Sequence, residues 1–149
     1  MITDGEEAGL RGCKQWAKDH YDEYVNSGVE TVVLCVDTLA DLEYLRVYNK
    51  DMTGTVKNSQ QFSQLVMDSA KDSGHNDLQF SSVYFGSSDA AAFSQAGITA
   101  TCLAAMDPKP ADYYHNRRDT AERLVPEAIR TGFDVIISTI LNFDEKGLN

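Results

Sequence analysis

The spacing of apolar and polar residues along the chain predicts helices that alternate with strands. Apolar residues recur every three to four positions, as on one face of an amphipathic helix, in segments at about 7–24, 59–74, 90–96 and 124–141. They run together or alternate, as in strands, at about 30–36, 42–48, 78–85 and 98–106. The resulting order, α-β-β-α-β-α-β-α, predicts an α/β fold with three layers (α/β/α) and a mostly parallel mixed sheet.

The same pattern ranks the strands by expected burial. The segment 98–106 is nearly free of charged side chains and is predicted to be a central strand, covered on both faces. Segment 30–36 is a β-branched run and is also predicted to be buried, whereas 42–48 alternates and is expected near an edge of the sheet. Ser59 and Ser88 are predicted helix N-caps, and Pro126 suits a first helical turn.

Composition narrows the class of protein. The 149 residues are enough for one domain, and no repeat or linker divides them. A net charge of -10, from 23 acidic and 13 basic residues, argues against a nucleic-acid partner. The longest apolar run, at 32–36, is too short to span a membrane, and no export signal is recognisable. Three widely spaced cysteines are expected to be buried free thiols, Cys13, Cys35 and Cys102.

Two segments place carboxylates where an α/β fold can use them. Glu6 and Glu7 follow a glycine at the start of the first predicted helix, where one could bind a metal ion and the other act as a general base. Acidic residues are also favoured there by the helix dipole alone. Asp37 closes a buried strand, a common position for ligand-binding groups, although it can equally cap a turn with Thr38.

A third candidate lies in the polar, proline-containing loop predicted at 107–119. A histidine in a polar loop after a buried strand, such as His115, is a better candidate for a functional residue than one on an apolar helix face. Imidazole is also the commonest transition-metal ligand. His20 and His75 are expected to be solvated surface residues. The chain contains no G-x-S-x-G sequence and no phosphate-binding loop, so a serine nucleophile and a nucleotide site are not supported.

Taken in order along the chain, these segments resemble the di-zinc aminopeptidase family, whose relatives include glutaminyl cyclases and the transferrin receptor ectodomain. Residues 4–12, Asp-Gly-Glu-Glu-Ala-Gly-Leu-Arg-Gly, look like the family's D-G-E-E-x-G-L-x-G turn. Residues 88–93 and 96–100 look like its S-D-x-x-x-F and A-G-I-P-A sequences, with Thr99 in place of proline. Residues 114–120 match Y-H-x-x-x-D-T. The resemblance covers nearly the whole chain.

The resemblance implies a role for each of these residues. Glu6 corresponds to the general base, and the zinc ligands would be Glu7, Asp37 and His115. Asp37 lacks the Met and Gly that usually follow it in the family. The residues expected to support the ligands or line the cleft are Asp89, Asp119 and Tyr114. The implied activity is zinc-dependent hydrolysis of N-terminal peptide bonds, with a peptide or another small amine-bearing molecule as substrate.

The family's site also uses a histidine and a bridging aspartate upstream of the G-E-E turn, and this sequence has no counterpart for them. Residues 1–149 are therefore expected to be the C-terminal part of a zinc aminopeptidase-like domain, inactive alone and binding zinc weakly or not at all. Two alternatives stay open: a non-catalytic interaction domain and a glutaminyl-cyclase-like acyltransferase. An exposed sheet edge is expected to favour a homo-oligomer.

Overall fold

The computed structural model describes residues 1–107, 109 and 111–148. Its α-helices are α1 Arg11–Asp19, α2 Tyr21–Val25, α3 Gln60–Asp72, α4 Asp89–Gln95 and α5 Pro126–Lys146. Its strands are β1 Val33–Asp37, β2 Leu45–Asp51, β3 Val56–Lys57, β4 Phe80–Ser82 and β5 Ala100–Ala105. Two short 3₁₀ helices occupy Met52–Gly54 and Ala121–Arg123.

The strands form one open, mixed sheet, as the sequence predicts. Strand β5 lies between β1, to which it is parallel, and β2, to which it is antiparallel. Strand β2 also pairs with β4 in parallel and with the short β3 in antiparallel orientation. All six residues of β5 are buried, which confirms its predicted central position.

Helices cover both faces of this sheet and divide the core into two clusters. Helices α1 and α4 pack on one face around Cys13, Phe93 and Cys102. Helices α3 and α5 pack on the other around Phe62, Leu103 and Val135. This arrangement confirms the three-layer α/β/α architecture. No described helix is long and apolar enough to cross a membrane.

Two predictions about the strands are wrong. The segment predicted near an edge, 42–48, contributes to β2, which has partners on both sides and buries Leu45, Val47 and Tyr48. Strand β1, predicted to be buried, pairs only with β5 in the part of the chain that the structure describes, and Val36 is 44% exposed. Strand burial depends on neighbours elsewhere in the sequence, and alternation within one strand does not specify them.

The helix predicted from Glu7 to Tyr24 is interrupted. Residues 6–9 form a turn instead of a first helical turn, and the helix breaks at His20, whose backbone leaves the α-helical region. The two helix N-caps predicted from the sequence are confirmed. The Ser59 and Ser88 hydroxyl oxygens accept hydrogen bonds from the backbone N–H groups of Phe62 and Ala90, at the starts of α3 and α4.

Candidate active site

Four of the predicted site residues come together beside the carboxyl end of β1. Glu6, Glu7, Asp37 and His115 line one cleft of about 1390 Å³, together with Asp89. They arrive from the turn before α1, the end of β1 and the loop after β5. Carboxyl ends of strands are where open α/β sheets bind ligands.

The turn that carries Glu6 and Glu7 is held by its own backbone. The Glu6 carbonyl accepts hydrogen bonds from the N–H groups of Gly9 and Leu10. The Gly12 N–H, in α1, donates to the Asp4 carbonyl at 2.9 Å. A Cβ atom at Gly12 would lie only 2.2 Å from that carbonyl oxygen, so only glycine allows this approach. Gly12, the second glycine of the G-L-x-G sequence, therefore allows the turn to lie against the helix.

The loop after β5 brings His115 to this turn. Its Nε2 atom lies 2.8 Å from Oε1 of Glu7. The Tyr114 ring stacks on the imidazole with centroids 3.8 Å apart, and the Phe85 ring meets Tyr114 edge-on. The Asn116 side chain braces the loop by donating to the Asp112 and Tyr114 carbonyls, a role that sequence reasoning missed.

Three of the five non-glycine residues with a positive φ angle in the described part of the chain lie at this site, and the other two belong to the 3₁₀ helix Met52–Gly54. Leu10, Thr38 and His115 have positive φ angles of 60°, 46° and 55°, which are uncommon for residues other than glycine. Each is a site residue or lies within three positions of one. Thr38 also donates a hydrogen bond to Asp37 Oδ1, so Asp37 takes part in the local turn as well as facing the cleft. Such strain is typical of functional sites.

The electrostatics of the cleft single out Glu6. Burial, followed by the nearby charges of Glu7, Asp37 and Asp89, raises the pKa of its carboxyl to about 7, against an opposing effect of His115. Burial also raises the pKa of Tyr114, as do Glu7 and Glu6. A carboxyl group that titrates near neutral pH can both accept and release a proton under physiological conditions.

Replacing Glu6 with glutamine should change stability in a pH-dependent way. The folded pKa exceeds the unfolded one, so ionised Glu6 opposes folding above about pH 7, and the effect disappears below about pH 4.5. We expect Glu6→Gln to raise the free energy of unfolding by about 1 kcal/mol at pH 8, since solvent screens part of the repulsion, and to leave it unchanged at pH 4.5. Thermal unfolding at both pH values measures this. An equal change at both would contradict it, and exposed Glu145→Gln is the control.

Comparison with known proteins identifies the family. The sequence model of Peptidase family M28 matches residues 1–140. The chain belongs to Peptidase family M28. A search of the curated proteins found no match to this M28 chain.

Solved structures show the same fold. The LapA aminopeptidase of Legionella pneumophila superposes with a TM-score of 0.75 at 17% identity, over 94% of this chain and 36% of LapA. A zinc aminopeptidase from Bacillus subtilis gives 0.70 at 21% identity, over 97% and 34%. A glutaminyl cyclase from an Acidobacteriales bacterium gives 0.70 at 17% identity, over 93% and 47%. The M28 chain thus spans between a third and a half of the length of these proteins.

The donor groups of the M28 chain fall short of a complete zinc site. Glu7 and His115 are in direct contact, and Asp37 lines the same cleft. Within residues 1–107, 109 and 111–148, however, no three His, Cys, Asp or Glu side chains lie close enough together to hold a metal ion. A catalytic zinc normally has three protein ligands. The residues present therefore do not fit the zinc centre that the resemblance implies.

Asp89 and Asp119 occupy different surroundings in the cleft. The Asp89 carboxylate accepts hydrogen bonds from the Thr3 hydroxyl and, at 2.9 Å, from the Cys13 thiol, so it ties the start of the chain and α1 to α4. Burial and this bond to Asp89 raise the pKa of Cys13 to about 12, which keeps the thiol protonated. Asp119 lines the cleft, and its backbone N–H donates to the Asn116 carbonyl.

Behind Asp89 lies a buried carboxylate that sequence reasoning missed. Asp51, at the end of β2, is fully buried and accepts hydrogen bonds from the Ser88 N–H, the Ser88 hydroxyl and the Met52 N–H, at 3.0, 2.6 and 2.7 Å. Ser88 directly precedes Asp89 and caps α4. The strand predicted at 42–48 ends three residues before Asp51, so the sequence pattern does not mark this aspartate as a residue that closes a strand.

Proposed function

We propose that this chain carries the general base and part of the ligand set of an exopeptidase site that hydrolyses N-terminal peptide bonds. The observation that carries the proposal is the position of Glu6. Its carboxyl has a pKa of about 7 and lies beside Glu7 and His115, which are in contact. The cleft around these residues is large enough for the end of a peptide. Membership of Peptidase family M28 supports the peptidase class.

Glu6 is suited to accept a proton from an attacking water molecule. It is partly buried, and its pKa lies near the working pH, where a general base combines availability with basicity. The Tyr114 ring stacks against His115 and so fixes the position of the imidazole beside Glu7. These side chains would orient the water and the scissile carbonyl relative to each other.

The charge of the cleft favours a substrate with a free amine. Glu6, Glu7, Asp37 and Asp89 face the same space. Two nearby cations are already engaged, since Arg118 and Arg123 both pair with Asp112. A protonated α-amine would relieve the mutual repulsion of the carboxylates, whereas an acetylated amine could not. This gives the site a physical reason to bind the end of a peptide chain.

The isolated chain is proposed to be inactive because its donor set is incomplete. Two ligands in contact and a third nearby do not match the three protein ligands of a catalytic zinc. The histidine and bridging aspartate that the resemblance implies have no counterpart among residues 1–149. We therefore expect this chain to bind a substrate through its carboxylates without hydrolysing it.

We expect the chain to bind Leu-Gly-Gly at least about 10-fold more tightly than N-acetyl-Leu-Gly-Gly, since only the former offers an ammonium group. Following the aromatic resonances of Tyr114 and His115 by NMR during each titration measures this. With zinc added, we expect no release of 4-nitroaniline from leucine 4-nitroanilide above the rate of Glu6→Gln.

Each other outcome has a defined meaning. Equal binding of the free and acetylated peptides would contradict the exopeptidase proposal and favour an interaction domain. Zinc-dependent turnover that Glu6→Gln abolishes would show that the chain is complete in itself. Conversion of an N-terminal glutamine peptide to its pyroglutamyl form, without hydrolysis, would assign the chain to the cyclase reaction of one of its structural neighbours.

A further inference from the structure

The outer face of α5 carries an apolar stripe that the fold leaves exposed. The inner face of the helix packs against α3, joins the core beside the sheet through Val135, and also buries Ala128 and Thr139. On the opposite side, four large apolar side chains are each more than half exposed: Phe133, Ile137, Ile140 and Leu141, at 58, 54, 56 and 64%. We call these four residues the α5 stripe.

The spacing of the α5 stripe matches one continuous face of a helix. Phe133, Ile137 and Ile140 are separated by four and three residues, which places them in one row along the helix axis, with Leu141 beside them. Single exposed apolar residues are ordinary on a protein surface, whereas a contiguous patch of this kind, on the order of 400 Å², is as large as the largest patch on a typical monomer, which is often functional.

The charges that flank the α5 stripe are arranged to match a second copy of themselves. Arg130 lies seven residues before Ile137 and Asp144 seven residues after it, and seven residues are close to two helical turns. Both are exposed on the face of the stripe, and neither forms an ion pair in the described part of the chain. In an antiparallel pair of α5 helices centred on Ile137, each Arg130 meets the other copy's Asp144, and Phe133 meets Leu141.

We infer that the α5 stripe is a homodimer interface in which two copies of this chain pair their α5 helices antiparallel. The apolar row supplies the buried area, and the two Arg130–Asp144 pairs set the register and orientation. The area available from both copies is below that of a standard stable interface, so the dimer is weak and forms at high protein concentration.

The exposed edge of β1 is a less favourable surface for two acidic copies. Segment 30–37 carries Glu30 and Asp37 but no lysine or arginine, and its carboxyl end lies beside Glu6 and Glu7. Pairing two such edges brings acidic groups together without a cation to offset them. The α5 stripe offers complementary charges, which is why we assign the interface to it.

Sedimentation equilibrium between about 10 and 500 µM at low ionic strength tests the inference. We expect the wild type to show a concentration-dependent dimer and Ile137→Lys to weaken it by about 10-fold or more. Arg130→Asp and Asp144→Arg should each weaken it by a few-fold, and the double variant should restore wild-type affinity within about 2-fold. All of these positions are exposed, so the fold should persist, as circular dichroism can verify.

Control variants separate the α5 stripe from other surfaces. Glu145→Lys changes an exposed charge on the polar side of α5 and should not weaken the dimer. Val36→Lys, at the β1 edge, should also leave it intact. A chain that stays monomeric at every concentration, a dimer lost in Val36→Lys but not in Ile137→Lys, or charge reversals that the double variant does not rescue would each overturn the inference.

Discussion

Asp51→Ala should lower the free energy of unfolding by about 3–4 kcal/mol, a large part of the stability of a domain of this size. The Asp51 carboxylate is fully buried and is the acceptor for two backbone N–H groups and the Ser88 hydroxyl. Alanine leaves these donors buried without an acceptor, and each unmet donor costs about 1–3 kcal/mol. Chemical denaturation monitored by circular dichroism measures the loss.

A double-mutant cycle shows whether the loss comes through Ser88. Ser88→Ala removes one of the three hydrogen bonds to Asp51 and should cost about 1–2 kcal/mol by itself. Because the two residues share that bond, the double variant should cost less than the sum of the single variants, with a coupling of about 1–2 kcal/mol. Additive losses would contradict the proposed link between Asp51, Ser88 and the start of α4.

The sequence predicts the layers of the fold better than the neighbours of each strand. The caps at Ser59 and Ser88 depend on a few adjacent residues and are confirmed. The exchange of roles between β1 and β2 depends on which strand lies beside which, a property of residues far apart in sequence. A helix that covers one face of a strand gives the same apolar alternation at an edge as in the centre of the sheet.

The candidate site shows the same division between local and distant information. The motif order brings Glu6, Glu7, Asp37 and His115 to one cleft, as the resemblance implies. Local sequence does not reveal the contacts that hold them, such as the bonds from Thr3 and Cys13 to Asp89, because these join residues more than 70 positions apart. The pKa of Glu6 likewise depends on burial and on charges from three separate segments.

His115→Ala should nearly abolish the zinc binding that remains in this chain. Glu7 and His115 are the two proposed zinc ligands that are in contact, and no third His, Cys, Asp or Glu among the described residues lies close enough to complete their site. We expect the wild type to bind one zinc ion weakly and His115→Ala to weaken binding by about 10-fold or more, since removing the imidazole leaves a single carboxylate. His75→Ala is the matched control, because His75 contacts Asp134 on α5, away from the cleft.

Isothermal titration calorimetry of the chain with zinc at pH 7.5 tests the central claim most directly, namely that residues 1–149 contain part of an M28 exopeptidase site. The claim predicts a single weak binding event that depends on His115 and not on His75. Tight binding of two zinc ions per chain, or binding unchanged in His115→Ala, would contradict it.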